Sequence, residues 1–390
     1  MRFIITNLIS AWSRNQAVPP TIQSSDWSAI YKEFTAQSIA YLFTDMVADV
    51  VSDELSEKWI NATMYNIHRF TEIQNEQHDL YKLLSSHNIE MAILKGTAAA
   101  VNYPNPEYRA MGDIDFLVPI EKFDEAYRLM LDNGYVLTYD EDNVDYHYTL
   151  EKNGITFEIH KYPAGMKSDD EYLFGLFQDG LKNVQLIPCE TYEVPVLPTL
   201  QNGLVLLLHI VKHLDGGLGF RQIIDWMMFV DKNLDDVAYS NEFKPVFEKA
   251  GLDVIAKTVT KMCQMYLGLR EDITWCSDAD EKLCTELLDY FYTQGNFGRK
   301  AKATSEGKGA FLFSKCNNLG DFFRTLQKYG MLRWKLVKKH PWLKPFAWLY
   351  QAGWCMKEIL IGEYKLKGIK GDFAKGKQQK DLIQALRIFE

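Results

Sequence analysis

The sequence has no CxxC pair: its six cysteines, Cys189, Cys263, Cys276, Cys284, Cys316 and Cys355, are scattered along 390 residues. That spacing excludes a disulfide framework and a thiolate zinc site, and leaves buried or bland thiols. Long apolar runs are missing as well. The opening Met1-Arg2-Phe3-Ile4-Ile5-Thr6 is too short for a secretory segment, and Asn7, Ser10 and Arg14 break up the apolar residues after it. The nearest approach to a membrane span, Leu204 to Ile210, falls well short of the about 20 apolar residues that crossing requires. These absences describe a soluble cytoplasmic protein. No internal repeat is present, so solenoids and propellers are excluded.

A basic excess is also lacking, since the net charge is -9, but that figure hides an asymmetry. Residues 299–390 hold 20 Lys and Arg against 7 Asp and Glu, or +13, while the rest of the chain holds 23 against 45, or -22. Attraction between tail and body is the reading preferred here over a surface for polyanions or anionic lipid. The same preference applies to Trp334, Trp342, Trp348 and Trp354, interleaved with Lys335, Lys338, Lys339 and Lys344. Such a stretch can stack single-stranded nucleic acid or seat on a membrane, yet packing against neighbouring helices accounts for it equally well. Nucleic acid is therefore not a favoured partner, and peripheral membrane contact is not expected.

What is there is an ordinary globular composition, 47% hydrophobic and 24% charged, long enough for two or three packed units. Residues 25–87 read as helices, with Ser25 or Asp26 as a cap, Trp27, Ile30, Tyr31 and Phe34 on one face, and Ile60, Met64, Ile67, Leu80, Leu83 and Leu84 at helical spacing. The period then changes. Residues 89–94 form a short apolar strand closed by Lys95-Gly96-Thr97, and residues 98–101 suit a helix that Tyr103-Pro104 stops. A second strand spans Asp113 to Val118. A helix comes next, from Glu121 to Asp132, with Phe123, Ala126, Tyr127 and Met130 inward and Asn133-Gly134 at its end. Beyond the acidic loop Asp140-Glu141-Asp142, alternation at Tyr146, Tyr148 and Leu150, a turn at Asn153-Gly154 and the run Ile155 to His160 make a hairpin. Residues 194–199 read as an extended linker, 200–230 as strongly apolar helix, and the end as aromatic-rich helix followed by a Lys/Gly-rich stretch to Gly376.

Residues two apart on a strand share a face, so Asp113 and Asp115 present two carboxylates side by side. Like charges this close repel unless a cation lies between them, and a hard oxygen-seeking ion, magnesium before manganese, is the natural one. D-x-D alone is common, and its company gives it weight. Lys95-Gly96-Thr97 ends one strand and begins a helix, where free N–H groups favour phosphate, Gly96 permits close approach and the Thr97 hydroxyl can donate. Glu158, preferred over Asp145 and Glu151 because it alone sits inside a clean apolar alternation on the hairpin strand, supplies a third carboxylate that either completes a two-ion site or accepts the proton of an incoming hydroxyl.

These residues stand in a recognisable order: Ile93-Leu94-Lys95-Gly96-Thr97-Ala98, Tyr103-Pro104, Arg109, Met111-Gly112-Asp113-Ile114-Asp115-Phe116-Leu117-Val118, Gly134-Tyr135 and Phe157-Glu158-Ile159-His160. The string resembles a nucleotidyltransferase family of the polymerase-beta-like superfamily, and the likeness extends through the N-terminal helices and the segment holding His209, His213, Arg221 and Asp225. The resemblance implies an α+β fold, with a small mixed sheet that carries D-x-D and the third acid on neighbouring strands. It further implies transfer of a nucleoside monophosphate from a nucleoside triphosphate to an acceptor hydroxyl, with two magnesium ions held by Asp113, Asp115 and Glu158. Most of the superfamily has Gly-Ser where this chain has Gly96-Thr97, preceded here by Lys95.

The remaining candidates divide between binding and structure. Lys95, Gly96, Thr97, Arg109, His160, His209 and Arg221 are the candidate nucleotide-binding residues. For Lys95 an organising ion pair is preferred to a phosphate contact, and for Arg109 a bidentate phosphate grip is preferred to an ion pair. His160 shares the face of Glu158 and can orient it. His209 and His213 lie one turn apart without the glutamate of H-E-x-x-H, so contact with nucleotide or Asp225 is expected over zinc. Arg221 has a salt bridge with Asp225 as its structural alternative. The expected units are an N-terminal helical segment 1–88, a nucleotidyltransferase core 89–197, a helical domain 198–300 closing the cleft, and a basic tail 301–390. A nucleotide-sugar glycosyltransferase with a D-x-D metal site and a non-catalytic nucleotide-binding or protein-interaction module are the competing classes, and the acceptor is unidentified.

Overall fold

Helices open the chain. The computed structural model describes residues 1–138, 146–214, 217–294, 319–334, 336–337, 340–360 and 379–389, and begins with α1 (Arg2–Ser13), α2 (Trp27–Ala36), α3 (Thr44–Val47) and α4 (Asp53–Ser85). The Asp26 carboxylate caps α2 by accepting from the Ala29 N–H at 3.0 Å, as the sequence suggested. Helix α1 was not anticipated. Its Ile5, Leu8 and Ile9 are fully buried, so the short apolar start packs into the core.

The inward stripe of α4 differs from the expected one. Ile60 and Met64 face solvent, 44% and 59% exposed, while Trp59, Thr63, Asn66, Phe70, Ile73, Gln77, Leu80 and Leu84 are buried. The reason is polar. The Asn66 amide donates to the Glu107 carbonyl at 2.7 Å, Gln74 donates to the Cys189 carbonyl at 2.7 Å, and Thr63 pairs with Thr44 at 2.6 Å. Reading hydrophobicity alone rotates such a helix, because its hydrogen-bonded polar residues count as solvent-facing.

A seven-stranded mixed sheet comes next in the chain: β1 (Ala92–Ile93), β2 (Asp113–Leu117), β3 (Val136–Leu137), β4 (His147–Lys152), β5 (Ile155–His160), β6 (Gln185–Cys189) and β7 (Tyr192–Val196), in the order β3-β4-β5-β2-β1-β7-β6. Between the strands run α5 (Thr97–Ala100), α6 (Phe123–Asp132) and α7 (Glu171–Leu181). The segment expected to be a linker is partly sheet. β7 lies parallel to β1, Ile93 opposite Val196, and antiparallel to β6. Val194 and Val196 are buried in the core, and a run of alternating valines around one proline serves as a strand when that proline's N–H is not needed by the ladder.

The helical remainder comprises α8 (Thr199–Leu214), α9 (Phe220–Asn233), α10 (Asp236–Ala238), α11 (Lys244–Lys249), α12 (Asp253–Tyr266), α13 (Glu281–Gln294), α14 (Leu319–Arg333) and α15 (Ala347–Leu360). Helices α14 and α15 pack on each other through Phe323 and Trp348, and through Trp334 stacked on Tyr350 at 5.1 Å. Trp342 is 69% exposed. The acidic loop 140–142, Asp145, Gly216, Cys316, Lys335, Lys338, Lys339 and the Lys/Gly-rich stretch lie outside the described residues. Among the described residues no helix is long and apolar enough to cross a membrane.

Two hydrophobic cores flank the sheet and decide which way each strand residue points. Ile114, Phe116, Phe157 and Ile159 join Phe70, Ile73, Leu80 and Leu84 of α4 and Phe123, Ala126 and Met130 of α6 in one core. Each such fully buried side chain contributes about 1.5–3 kcal/mol. Leu94, Tyr103, Leu117 and the apolar faces of α8, α9 and α12 build the other. Since strand side chains alternate, the acids of β2 and β5 are left on the face toward α8 and α9.

Candidate active site

Strands β2 and β5 run parallel, with Asp113 opposite Thr156, Asp115 opposite Glu158 and Leu117 opposite His160. With Ile114, Phe116, Phe157 and Ile159 committed to the core under α4 and α6, the residues between them converge on the other face. Asp115 is 2% exposed, whereas Asp113, at the strand's start, is open to solvent. The Nε2 atom of His160 lies 3.2 Å from Asp115 Oδ1 and 3.3 Å from Glu158 Oε2. Oxygen or nitrogen atoms of Asp115, Glu158 and His160 all fall within 4.8 Å of one another, a group able to hold a metal ion. Asp113 stands beside this group, not in it.

Mutual contacts outweigh burial in setting the charges. Burial raises Glu158, but His160, Asp115 and the Lys95 charge together hold its carboxyl below the usual range. Burial lowers His160, and its hydrogen bonds to Asp115 and Glu158 reverse that and hold the imidazole above its ordinary value. His160 is therefore a shared donor to two carboxylates, an orienting role for which its place on the strand suits it.

Lys95 closes β1. The Leu94 N–H donates to the Asp115 carbonyl at 3.0 Å, which ties this strand end to β2. The Lys95 Nζ atom lies 2.9 Å from Asp115 Oδ2 and 3.9 Å from Asp113 Oδ2. The closer contact is an ion pair without hydrogen-bond alignment, so Oδ2 is buried yet accepts no hydrogen bond. Gly96 turns the chain at φ +60, a conformation that a side chain strains. A Cβ there would sit 3.6 Å from Met111 Sδ and 3.8 Å from the Asp113 carbonyl, so the turn abuts the start of the D-x-D strand. Thr97 departs from expectation. Its hydroxyl donates to Gln77 Oε1 on α4 at 2.6 Å in a buried pair, because α4 offers an amide oxygen that needs a donor.

Arg109 is also corrected. Its Nε and Nη2 atoms each lie 2.7 Å from the two oxygens of Asp225, and the Tyr103 hydroxyl donates to the same carboxylate at 2.7 Å. Arg109 is 3% exposed, so its guanidinium is committed to a buried bidentate pair rather than to phosphate. The salt bridge expected of Arg221 at Asp225 is thus made by Arg109. Arg221 donates to the Ala110 carbonyl at 3.1 Å, so α9 holds two consecutive residues of the loop that leads into D-x-D.

Beside the acids lies a cluster of rings that the sequence reading named only in part. His147 of β4 pairs across the ladder with His160, their rings stacked at 5.1 Å. The Tyr146 ring lies 4.6 Å from His147 and 5.7 Å from His160, Tyr162 lies 5.7 Å from Tyr146, and the Lys212 ammonium sits 5.3 Å from the Tyr146 ring. His209 meets His213 edge-on at 4.6 Å. Both are driven toward the neutral form by burial first and by the Lys95 charge next, His213 down to about 3. Buried nitrogens of His147 (Nδ1), His160 (Nδ1) and His209 (Nε2) have no hydrogen-bond partner among the described residues. Unsatisfied buried polar atoms are few in folded proteins, and several here border one site. His147 was legible only as a strand residue, since its place opposite His160 depends on pairing register.

A family model described as an uncharacterised nucleotidyltransferase matches residues 23–268, well over half of the chain. No curated protein and no solved structure matches it.

Proposed function

We propose, because the chain belongs to this family of uncharacterised nucleotidyltransferases, that it transfers a nucleoside monophosphate from a nucleoside triphosphate to an acceptor hydroxyl and releases pyrophosphate. The observation that carries the reading is the convergence of Asp113, Asp115 and Glu158 on one face of two in-register parallel strands, beside the Gly96 turn. On this reading the sheet is the polymerase-beta-like core, and α8 and α9 form the opposite wall of the cleft.

The residues fit a hard divalent cation. Carboxylate oxygens from neighbouring strands are the donors magnesium prefers, and the buried Asp115 Oδ2 is met by a cation, the Lys95 ammonium, and by no hydrogen bond. Asp113, Asp115 and Glu158 would hold one or two magnesium ions, or manganese. When bound, such ions neutralise the phosphates and steady both the attacking and the leaving oxygen. The low proton affinity of Glu158 argues that it serves as a ligand more than as a base. His160 keeps Asp115 and Glu158 oriented. The Gly96 turn admits the phosphates to the sheet edge, and Lys95, Lys212 and Arg221 supply positive charge around them. In the transfer the acceptor oxygen bonds to the α-phosphorus and its proton passes to solvent, as the bond from the α-phosphorus to the oxygen bridging to the β-phosphate breaks and pyrophosphate leaves with the electron pair. Positioning and charge neutralisation supply most of the rate.

The test is a panel of nucleoside triphosphates with magnesium and cell extract, assayed for pyrophosphate, with the modified product identified by mass. Magnesium-dependent pyrophosphate release that disappears in Asp113→Asn is the expected result. Release unchanged in that variant, or free nucleoside diphosphate as product from a nucleotide sugar, would overturn the reading in favour of another class.

A further inference from the structure

Both oxygens of Asp115 are occupied. His160 Nε2 lies 3.2 Å from Oδ1 and Lys95 Nζ lies 2.9 Å from Oδ2. Lys95 reaches Asp113 Oδ2 at 3.9 Å as well, so one ammonium stands between the two D-x-D carboxylates. A magnesium ion binds carboxylate oxygen at about 2.0–2.1 Å. It and the ammonium on Oδ2, 2.9 Å away, would stand only about 4 Å apart, and two cations that close in a partly buried site repel. An ammonium at Oδ2 therefore opposes a metal on Asp115, and the metal is favoured when a present cationic partner withdraws. His160 is held in the sheet, 1% exposed, stacked on His147 and shared with Glu158. Lys95 has a flexible four-carbon stem and a side chain that is 21% exposed at the mouth of the cleft, so it is the group able to move.

We infer that Lys95 is the internal counter-ion of the site, which holds Asp113 and Asp115 together in the empty protein and is displaced by the incoming metal onto the phosphates of the nucleotide. The inference rests on the metal-site reading above and goes beyond it, since it sets the order of loading. Metal alone competes with Lys95 and binds weakly. Metal with triphosphate binds well, because the released ammonium gains the phosphate charge beside Gly96. Lys95 is a positioning residue that couples the two ligands, and the site resists loading metal without substrate.

Manganese binding to the full-length protein, measured by titration calorimetry without nucleotide, tests this directly. Lys95→Met, which keeps the stem and removes the charge, is expected to bind manganese about tenfold or more tightly than the natural protein, while Lys95→Arg stays weak. Equal or weaker binding by Lys95→Met, with clear binding by the natural protein, would overturn the counter-ion role and leave the metal site standing. No manganese binding by either protein would sink both. A second measurement needs no variant: the rate of Lys95 acylation by an amine-reactive reagent, read by peptide mass spectrometry. Adding magnesium should speed it several-fold, and adding magnesium with a non-hydrolysable nucleoside triphosphate should slow it again. A rate indifferent to magnesium overturns the inference.

Discussion

Asp115 and Asp225 are both buried aspartates paired with a cation, and the chain from Arg109 to Asp113 joins the two clusters they anchor. At Asp225 every contact is short and directional. Arg109 grips both oxygens at 2.7 Å, Tyr103 adds a third donor at 2.7 Å, and neither side chain of the ion pair sees more than 3% of its surface exposed. At Asp115 the contacts are longer and shared. His160 divides its Nε2 between two carboxylates, and Lys95 divides its ammonium between Asp113 and Asp115. The Asp225 cluster is closed by directional hydrogen bonds, and the Asp115 cluster is held by an ammonium on a long, partly exposed stem. A closed network rigidifies the fold, and an under-coordinated one has capacity left for chemistry. The first cluster positions the second, because Arg109 and Arg221 of the one hold the loop that delivers Asp113 of the other.

The largest effect that tests this contrast belongs to the closed cluster. Arg109→Ala leaves Asp225 buried with Tyr103 as its remaining short donor, and should lower stability by about 3–5 kcal/mol in urea unfolding. A loss under about 1 kcal/mol would mean that the pair contributes little and that the contrast is wrong. Next comes Asp115→Asn. It keeps the side chain's shape and removes the charge opposite Lys95 and His160, so turnover should fall about 10²–10³-fold. Its stability should stay within about 1 kcal/mol of the natural protein, because a loosely satisfied charge holds the fold less than a fully paired one. A variant that keeps turnover and loses stability would show that Asp115 is a second structural anchor.

The sequence carried this contrast unevenly. Alternation along 113–118 and 155–160 placed Asp113, Asp115 and Glu158 on one face of their strands, because a period of two leaves no other choice. The sequence reading made the two strands neighbours, but the parallel register that sets Asp115 opposite Glu158 is long-range and was not legible. Arg109 and Asp225 are 116 positions apart, and nothing local to either says that they meet. A guanidinium in a loop before D-x-D looks like a phosphate ligand until the acid that claims it is seen. The polar stripe of α4 misled for the same reason. Asn66, Gln74 and Gln77 read as solvent-facing, and each is inward because a partner from another segment satisfies it. The strand at 192–196 was hidden by Pro195 and Pro198, whose extended backbone suits a linker equally well.

The smallest effect sharpens the boundary between the two clusters at Thr97, next to the glycine turn of the open one. Its hydroxyl is spent on Gln77, so Thr97→Val should behave as a structural substitution. Removing the donor strands Gln77 Oε1 in a buried setting, which costs about 1–3 kcal/mol in unfolding free energy. KM for the triphosphate should stay within about twofold, since the lost contact is uniform to the bound and free protein. Thr97→Ser retains the donor and removes one methyl from a side chain that is 1% exposed, so it should recover most of the loss. A rise of tenfold or more in KM for Val, about 1.4 kcal/mol of lost binding and absent in Ser, would show that the hydroxyl turns to phosphate when nucleotide arrives. In that event the open cluster reaches one residue further along the chain than the ligand-free geometry indicates.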